Sequence, residues 1–384
     1  MRDHNERLVL SLVRQHGSLA KSDIARITGL SAQTVSVIMR GLEADGLLLR
    51  GTPVRGRIGQ PSVPMSLAAN GAFFLGLKIG RRSVDLTLID FLGNVLGLQR
   101  QVYRFPTPDA VVAFVTRTLP ILSELLPPDL RPRISGLGVA MPFQLWNWVQ
   151  FIGAPQQEMD AWKERDIQAE LVACTNGLPV YVQNDATSAC GAELVFGTGD
   201  RPKDFLYFYF GYFIGGGLVL DGQLYLGRTG NAAGVGPMPV PGGSDGKMRR
   251  LLNVASMSAL ADAMTAVGEP SDFLWESPDA WNVSPQILSD WIDGVAEGLA
   301  SAALSAAALI ELEAVIIDGW MPVEVRAEIV KRTHDALHRM DLAGVSPPVI
   351  RQGSVGAEAR SLGAAAIPLS QRYMIDKNAA GRAI

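Results

Sequence analysis

Residues Leu75–Asp90 read "LGLKIGRRSVDLTLID". The first half is an apolar run, Gly80 marks a turn, and Val84, Leu86 and Leu88 then alternate up to Asp90. Period-two alternation behind a glycine turn predicts a β-hairpin. A hairpin that opens an α/β domain often cradles nucleotide phosphates, which calls for a carboxylate toward the metal and small residues that bare backbone N–H groups. Here Lys78, Arg81 and Arg82 occupy those places. The stretch has the pattern of a phosphate hairpin and the side chains of something else.

Outward from this hairpin the chain alternates strands and helices. "AFFLGLKIG", "SVDLTLIDF" and "VLGLQRQVY" predict three consecutive antiparallel strands, "DAVVAFVTRTLPILSEL" a helix and "ISGLGVAMP" a buried strand. "DIQAELVACT" (helix), "PVYVQND" (strand) and "ATSACGAELVFG" (a helix of small residues) follow. A second strand–glycine turn–strand, "FLYFYFGYFIGGGLVLDGQLY", repeats the opening motif, and a long Ala-rich helix, the strand "AVIIDGW" and a final small-residue helix "SLGAAAIPL" close the chain. The repeat predicts two duplicated α/β lobes around a cleft.

The chain has 384 residues, enough for two or three domains. Apolar residues make up 48% and charged ones 19%, which suits a globular protein with a large core. Cys174 and Cys190 form no CxxC pair and offer neither a disulfide framework nor a zinc cluster. The charged start "MRDHNERLVL" lacks the apolar core of a signal peptide, and the uncharged run Phe205–Leu220 is broken by glycines, which makes it a poor membrane span. A cytoplasmic protein is expected. Residues 1–60 hold nine Lys/Arg against five Asp/Glu, while the remainder holds 25 against 33. A basic head on an acidic body fits a head that meets a polyanion, although ordinary variation in surface charge gives the same totals.

That head predicts three helices and a hairpin. Leu8, Leu12 and Val13 space the first helix. Ile24, Ala25 and Ile27 face inward from the second, which ends at Gly29. Ser31 caps the third, whose apolar face is Val35, Ile38, Met39 and Leu42. "LLLRGTPVRGRIG" predicts two short strands around a turn, a wing. A helix that enters the major groove needs short or polar leading residues, which Ser31, Ala32, Gln33, Thr34 and Ser36 supply, with Arg40 in reach of a phosphate. Arg55 and Arg57 flank Gly56 in an extended arm suited to a narrow A·T-rich minor groove. A plain three-helix bundle with a solvated polar face and a solvated linker is the alternative. The boundary between head and body is expected near residue 65, giving a head of 1–65 and a body of 66–384.

With its elements in this order the chain resembles the ROK (repressor, open reading frame, kinase) family, in which a winged helix precedes a sugar-kinase-like body of the actin and hexokinase, ribonuclease H-like, fold. The resemblance rests on the head, "RIGQP", "FFLGLKIG…LIDFLGNVL", "GLGVAMP", "VQNDATSACGAE", "FIGGGLVLDGQLYLGRTGNAAGVGPMP" and "SLGAAA", and covers nearly the whole chain. It implies an Asp-x-Gly-x-Thr phosphate turn where Lys78, Gly80 and Arg82 stand, and a Gly-rich second turn where Gly211, Tyr212 and Phe213 stand. It implies a zinc His and sugar-gripping Glu residues where Pro237, Gly234 and Leu252 stand. No metal and no cofactor are therefore expected. Asn184 and Asp185 match the family's sugar-facing pair, its Asp being the catalytic base, and the same two residues would also serve as a helix cap. "FIGAPQQEMDAW" resembles the sugar loop, with Gln156, Gln157 and Glu158 as polar candidates and Trp162 as the aromatic one; Trp146 and Trp148 fit either stacking on a sugar or core filling, and Asp318 a turn.

The resulting expectation is a DNA-binding regulator of carbohydrate genes, not an enzyme, with a sugar-like effector in the cleft and a homodimer or homotetramer on a double-stranded operator. An active sugar kinase with a DNA-binding head and an effector-free DNA-binding dimer remain as alternatives, as does an anion bound by Arg81 and Arg82.

Overall fold

The computed structural model describes residues 2–53, 62–143, 145–149, 153–200, 202–242 and 247–375. The head opens with α1 (Arg2–His16), β1 (Ser18–Leu19), α2 (Lys21–Thr28) and α3 (Ala32–Ala44), followed by β2 (Leu48–Arg50) and β3 (Met65–Leu67). Val35, Ile38, Met39 and Leu42 are all buried, as the spacing of α3 requires. Helix α2 buries Ile24 alone, and Ile27 is 43% exposed, because a two-turn helix offers its neighbours a single inward position. The buried positions of α1 are Val9, Leu10 and Val13, with Leu8 at their edge.

Strand β2 pairs with β3, which lies beyond "LLLRGTPVRGRIG", with Leu48 opposite Leu67 and Arg50 opposite Met65, and β1 lies on the other side of β3. Met65 and Leu67 alternate onto the helices, and that alternation is what the Gly/Arg-rich stretch lacks. The head's sheet therefore runs past the expected boundary at 65, as far as Leu67.

The body repeats one fold twice. In the first lobe β4 (Phe73–Ile79), β5 (Ser83–Ile89) and β6 (Val95–Val102) form the antiparallel meander, α4 (Pro108–Ser123) crosses over, and β7 (Ile134–Met141) lies parallel to β4. Helices α5 (Gln156–Glu164) and α6 (Ile167–Cys174) lead to β8 (Val180–Asn184), parallel to β7, and then to α7 (Asp185–Phe196). The sheet order is β6-β5-β4-β7-β8.

In the second lobe β9 (Phe205–Phe210), β10 (Ile214–Leu220) and β11 (Gln223–Leu224) form the meander. A small hairpin, β12 (Pro239–Pro241) with β13 (Met248–Arg250), precedes α8 (Leu251–Ala255), α9 (Met257–Ala266), α10 (Phe273–Glu276) and the long α11 (Pro285–Ala307). Then come β14 (Ala314–Gly319), α12 (Val323–His338), β15 (Val349–Gln352) and α13 (Ala359–Tyr373). The sheet order β11-β10-β9-β14-β15 repeats that of the first lobe. Buried Asp318 at the end of β14 does more than close a turn: its carboxylate accepts from the backbone of Gly319 and Gly356 (2.9 Å each), from Tyr207 Oη (3.2 Å) and from Arg326 Nη1.

Helices α7 and α13 cross between the sheets. The crossing is tight enough to explain their composition: a Cβ on Gly363 would lie 1.9 Å from the carbonyl oxygen of Ser188, and one on Gly138 of β7 1.8 Å from that of Ala364. The far end of α13 reaches the head. Tyr373 packs edge-on against Phe91 (5.0 Å between centroids) and Phe74 (5.7 Å), in one core with Val9, Leu10 and Val13 of α1 and Leu369 of α13. Arg7 Nη2 donates to the Gln371 carbonyl (2.7 Å), and the Ile375 amide to Ser11 Oγ (2.9 Å). Each fully buried Phe there stabilises by about 1.5–3 kcal/mol over an exposed one, so the head is welded to the first lobe and to α13.

Gly363→Leu should cost about 3 kcal/mol or more, since the new side chain has no space against Ser188. Urea denaturation followed by circular dichroism measures this, and a loss under 1 kcal/mol would mean that the crossing is loose.

Candidate functional site

Two sites emerge, one on the head and one between the lobes. On the head, Ser31 takes an extended conformation and its Oγ accepts from the Thr34 amide at 3.1 Å, which satisfies one of the free N–H groups of α3. Ser31, Ala32, Gln33 and Arg40 are exposed and Thr34 and Ser36 half-buried. Arg40 Nε donates to its own helix at the Ser36 carbonyl (3.2 Å), and Lys21 Nζ of α2 reaches Ser36 Oγ (3.3 Å). Two residues not anticipated from sequence join this face: Lys21, and Val37, 55% exposed one turn after Gln33. The signal for Val37 was its i+4 spacing from Gln33 on the polar side of an otherwise regular stripe. Arg55 and Arg57 lie outside the described residues.

Between the lobes lies a cavity of about 480 Å³. The end of β8 and start of α7 bring Asn184 and Asp185 to it, the second-lobe turn brings Phe213, and the first hairpin brings Arg81. Asn184 caps α7: its Oδ1 accepts from the amides of Ala186 (3.1 Å) and Thr187 (3.2 Å). Asp185 Oδ2 accepts from Arg360 Nη1 at 3.3 Å, at the first turn of α13. Arg360 also lies over the Tyr209 ring, 4.9 Å from its centroid. Burial weakens the Arg360 charge, but Tyr209 and Asp185 more than offset this and hold its proton above the usual guanidinium range.

A smaller recess of about 50 Å³ opens beside the first hairpin, at the expected phosphate turn. Lys78 fills the place of the metal-binding carboxylate and turns away into its own sheet. Its Nζ donates to Ser83 Oγ (2.7 Å) and Asp85 Oδ2 (3.0 Å). Arg100 of β6 grips the same carboxylate with two bonds (2.8 and 2.9 Å) and covers the Trp320 ring at 4.6 Å. Burial pushes Lys78 down to about 8, against the pull of Asp85. Burial also pushes Asp85 up, but Lys78 and Arg100 outweigh it and leave the carboxyl below its usual range. At the second turn Tyr212 packs on Phe213 (4.8 Å) and Trp275 (5.1 Å), and Arg81 stacks over Phe213 at 4.7 Å.

A family model described as ROK family matches residues 74–370, and one described as winged helix-turn-helix DNA-binding matches residues 2–48. The chain belongs to the ROK family. It is a DNA-binding transcriptional regulator of that family. A putative xylose repressor of Caldicellulosiruptor is 24% identical over 272 residues, covering 69% of this chain and 67% of that one. The xylose repressor of Bacillus subtilis is 20% identical over 236 residues, 62% of this chain and 60% of its own. Among solved structures, a ROK family transcriptional regulator homologous to the E. coli MLC protein has TM-score 0.69 at 22% identity, covering 97% of this chain and 96% of that one. A ROK glucokinase of Streptomyces griseus, solved with glucose and AMPPNP, has TM-score 0.59 at 21% identity, covering 77% of this chain and 99% of its own. At such identities these two show the shared fold.

Not every residue expected at the ROK cleft reaches it. Gln156, Gln157 and Glu158 sit on the exposed first turn of α5, outside the cavity lining, and Gln156 Nε2 bonds Asp160 within that helix. The apolar side of α5 (Met159 and Trp162) packs into the first-lobe core and turns these polar residues outward. Trp162 is a core residue whose Nε1 donates to the Pro106 carbonyl (3.0 Å), and Trp146 packs against the same core. From that stretch Phe143 and Asn147 line the cavity. Gly234, Pro237 and Leu252 also line it, and none of them offers a metal ligand or a hydroxyl-gripping side chain. Arg360 went unpredicted; its signal was a charge at the head of a helix whose first half is otherwise mostly small residues.

Asp85→Ala strands Lys78 and Arg100 and should destabilise the fold by about 3–5 kcal/mol at pH 7. Lys78 loses its proton at a lower pH when folded than when unfolded, so its contribution to stability rises with pH between about 8 and its ordinary value near 10.5. The deficit of the variant should therefore shrink at pH 9.5, where a neutral Lys78 no longer needs the carboxylate. Urea melts at both pH values test this; an equal or larger deficit at pH 9.5 contradicts it.

Proposed function

We propose that a small sugar-like effector in the interlobe cleft sets the DNA affinity of this regulator, that its targets are genes of carbohydrate uptake or catabolism, and that the body transfers no phosphoryl group. The protein works in the cytoplasm as a homodimer or homotetramer. Two copies of α3 enter successive major grooves of a two-fold operator about one helical turn apart. Gln33 and Ser36 read base edges, Val37 meets a thymine methyl, and Arg40 and Lys21 neutralise phosphates.

The observation that carries the reading is α13. Its first turn holds Arg360 at the cleft and its last holds Tyr373 in the core shared with the head. A ligand that favours one interlobe angle thereby favours one placement of the head. It changes DNA affinity only by its differential affinity for the two arrangements. A carbohydrate role is supported by two relatives, one named a xylose repressor and the other a putative xylose repressor. The absence of phosphoryl transfer is supported by the Lys78–Asp85–Arg100 network, which puts a cation where Mg²⁺ would be drawn in, and by the aromatic plug of Tyr212, Phe213 and Trp275.

Fluorescence anisotropy on promoter fragments tests the head. Gln33→Ala should lose about 1–3 kcal/mol of discrimination at one base pair of each half-site. Arg40→Ala should weaken binding to every sequence and reduce the salt slope by about one. Unchanged base preference in the first variant would remove Gln33 from the readout. Incubation with ATP, Mg²⁺ and a panel of sugars should give no sugar phosphate; turnover would overturn the non-enzyme reading.

A further inference from the structure

The chain has four histidines, and two of them, His334 and His338, stand one turn apart on α12. The inner face of that helix buries Val325, Ile329, Thr333, Ala336 and Leu337, which turns both imidazoles outward on the second lobe. Residues four apart on a helix are neighbours. Here the two rings face each other, with centroids 4.2 Å apart and planes 31° from parallel. Each ring is tethered at Nδ1. That of His338 lies 2.9 Å from the carbonyl oxygen of His334, and that of His334 lies 3.3 Å from Asp335 Oδ1. A carbonyl and a carboxylate only accept, so in each neutral ring Nδ1 carries the proton and Nε2 the lone pair. Among the described residues neither Nε2 has a hydrogen-bond partner.

We propose that His334 and His338 bind one late first-row transition-metal ion (Cu²⁺, Ni²⁺ or Zn²⁺) through their two Nε2 atoms, with water in the remaining positions. A metal-bound His ordinarily donates its other ring N–H to a backbone carbonyl or a carboxylate, and these two rings do so before any ion arrives. The metal–nitrogen bond is about 2.0–2.1 Å, so two nitrogens that share an ion lie within about 4.2 Å of each other. Rings at this separation reach that span by side-chain rotation alone. Imidazole suits copper, nickel and zinc, whereas Mg²⁺ and Ca²⁺ require oxygen ligands. Lys331, one turn before His334, and Arg339, next to His338, are exposed, and Asp335 is the carboxylate in contact with the pair. The ion is therefore held by coordination and not drawn in by charge. It ties together the last two turns of α12, at the end of a helix where backbone carbonyls lack intrahelical partners. No residue of α12 lines the interlobe cavity, so the pair stands apart from Pro237 and is independent of the effector reading.

The test is calorimetry of the full-length protein, stripped with a chelator, against Cu²⁺, Ni²⁺, Zn²⁺, Mg²⁺ and Ca²⁺ in a non-coordinating buffer at neutral pH. One transition-metal ion should bind per chain, Cu²⁺ most tightly, and Mg²⁺ and Ca²⁺ should give no binding heat. His334→Ala and His338→Ala should each weaken binding by more than the about tenfold that loss of an outer partner costs, and the double variant should abolish it. Both side chains are exposed, so the metal-free variants should keep the circular dichroism spectrum and melting temperature of the unsubstituted protein. Zn²⁺ should raise the melting temperature of the unsubstituted protein and leave that of the double variant unchanged. Electron paramagnetic resonance of the Cu²⁺ form should show coupling to two nitrogens, reduced to one or none in each single variant. His4→Ala, which alters a histidine of α1, should leave binding as it was. Binding that survives the double variant, or that is lost with His4→Ala, would overturn the site. Mg²⁺ or Ca²⁺ binding as tightly as Zn²⁺ would overturn it too, as would the absence of binding by all three transition metals.

Discussion

The approach of two helix backbones at the centre of the body constrains everything around it. Helices α7 and α13 cross with so little space that a methyl group on Gly363 would collide with the carbonyl of Ser188. Small residues on both helices fit that contact. The larger polar side chains of the two helices that line the cleft stand at the helix starts. At the start of α7, Asn184 and Asp185 face the cleft; at the start of α13, Arg360 does. At the far end of α13, Tyr373 and Leu369 join the head's core. A rigid, closely packed rod with a charged residue at one end and an aromatic one at the other is well suited to carry a displacement, because packed interiors shift as units.

The two lobes share one strand order and enclose the interlobe cavity. At the first hairpin the cation Lys78 is made tolerable in the interior by Asp85, directly opposite it on the neighbouring strand, and Arg100 shares the same carboxylate. An unpaired buried lysine would be costly, and the two-to-one arrangement around Asp85 shows how the sheet accommodates it.

Much of this architecture was legible in the sequence. The hairpin repeat announced two lobes, "ATSACGAE" and "SLGAAA" announced two helices of small residues, and the apolar stripe of α3 with its Ser31 cap announced the third helix of the head. These signals are local: period-two and period-3.6 patterns and capping depend on a few neighbouring residues. The wing's second strand was expected within "LLLRGTPVRGRIG", whereas β2 pairs with Met65–Leu67, and register between segments separated along the chain is a tertiary property. Gln156, Gln157 and Glu158 were misassigned for a related reason. Which face of α5 turns outward is decided by what Met159 and Trp162 pack against.

The sequence by itself determined the element types, the duplication, the basic head and the replacement of acid by Lys78, since each is written in residue identity and spacing. Only the tertiary structure decided that Lys78 is neutralised within its own sheet, that Arg81 and Arg360 line the same cavity, and that the head shares a core with α13. These facts bring together residues up to hundreds of positions apart, and a pattern along the chain holds no information on which distant side chains the close-packed interior will make into neighbours.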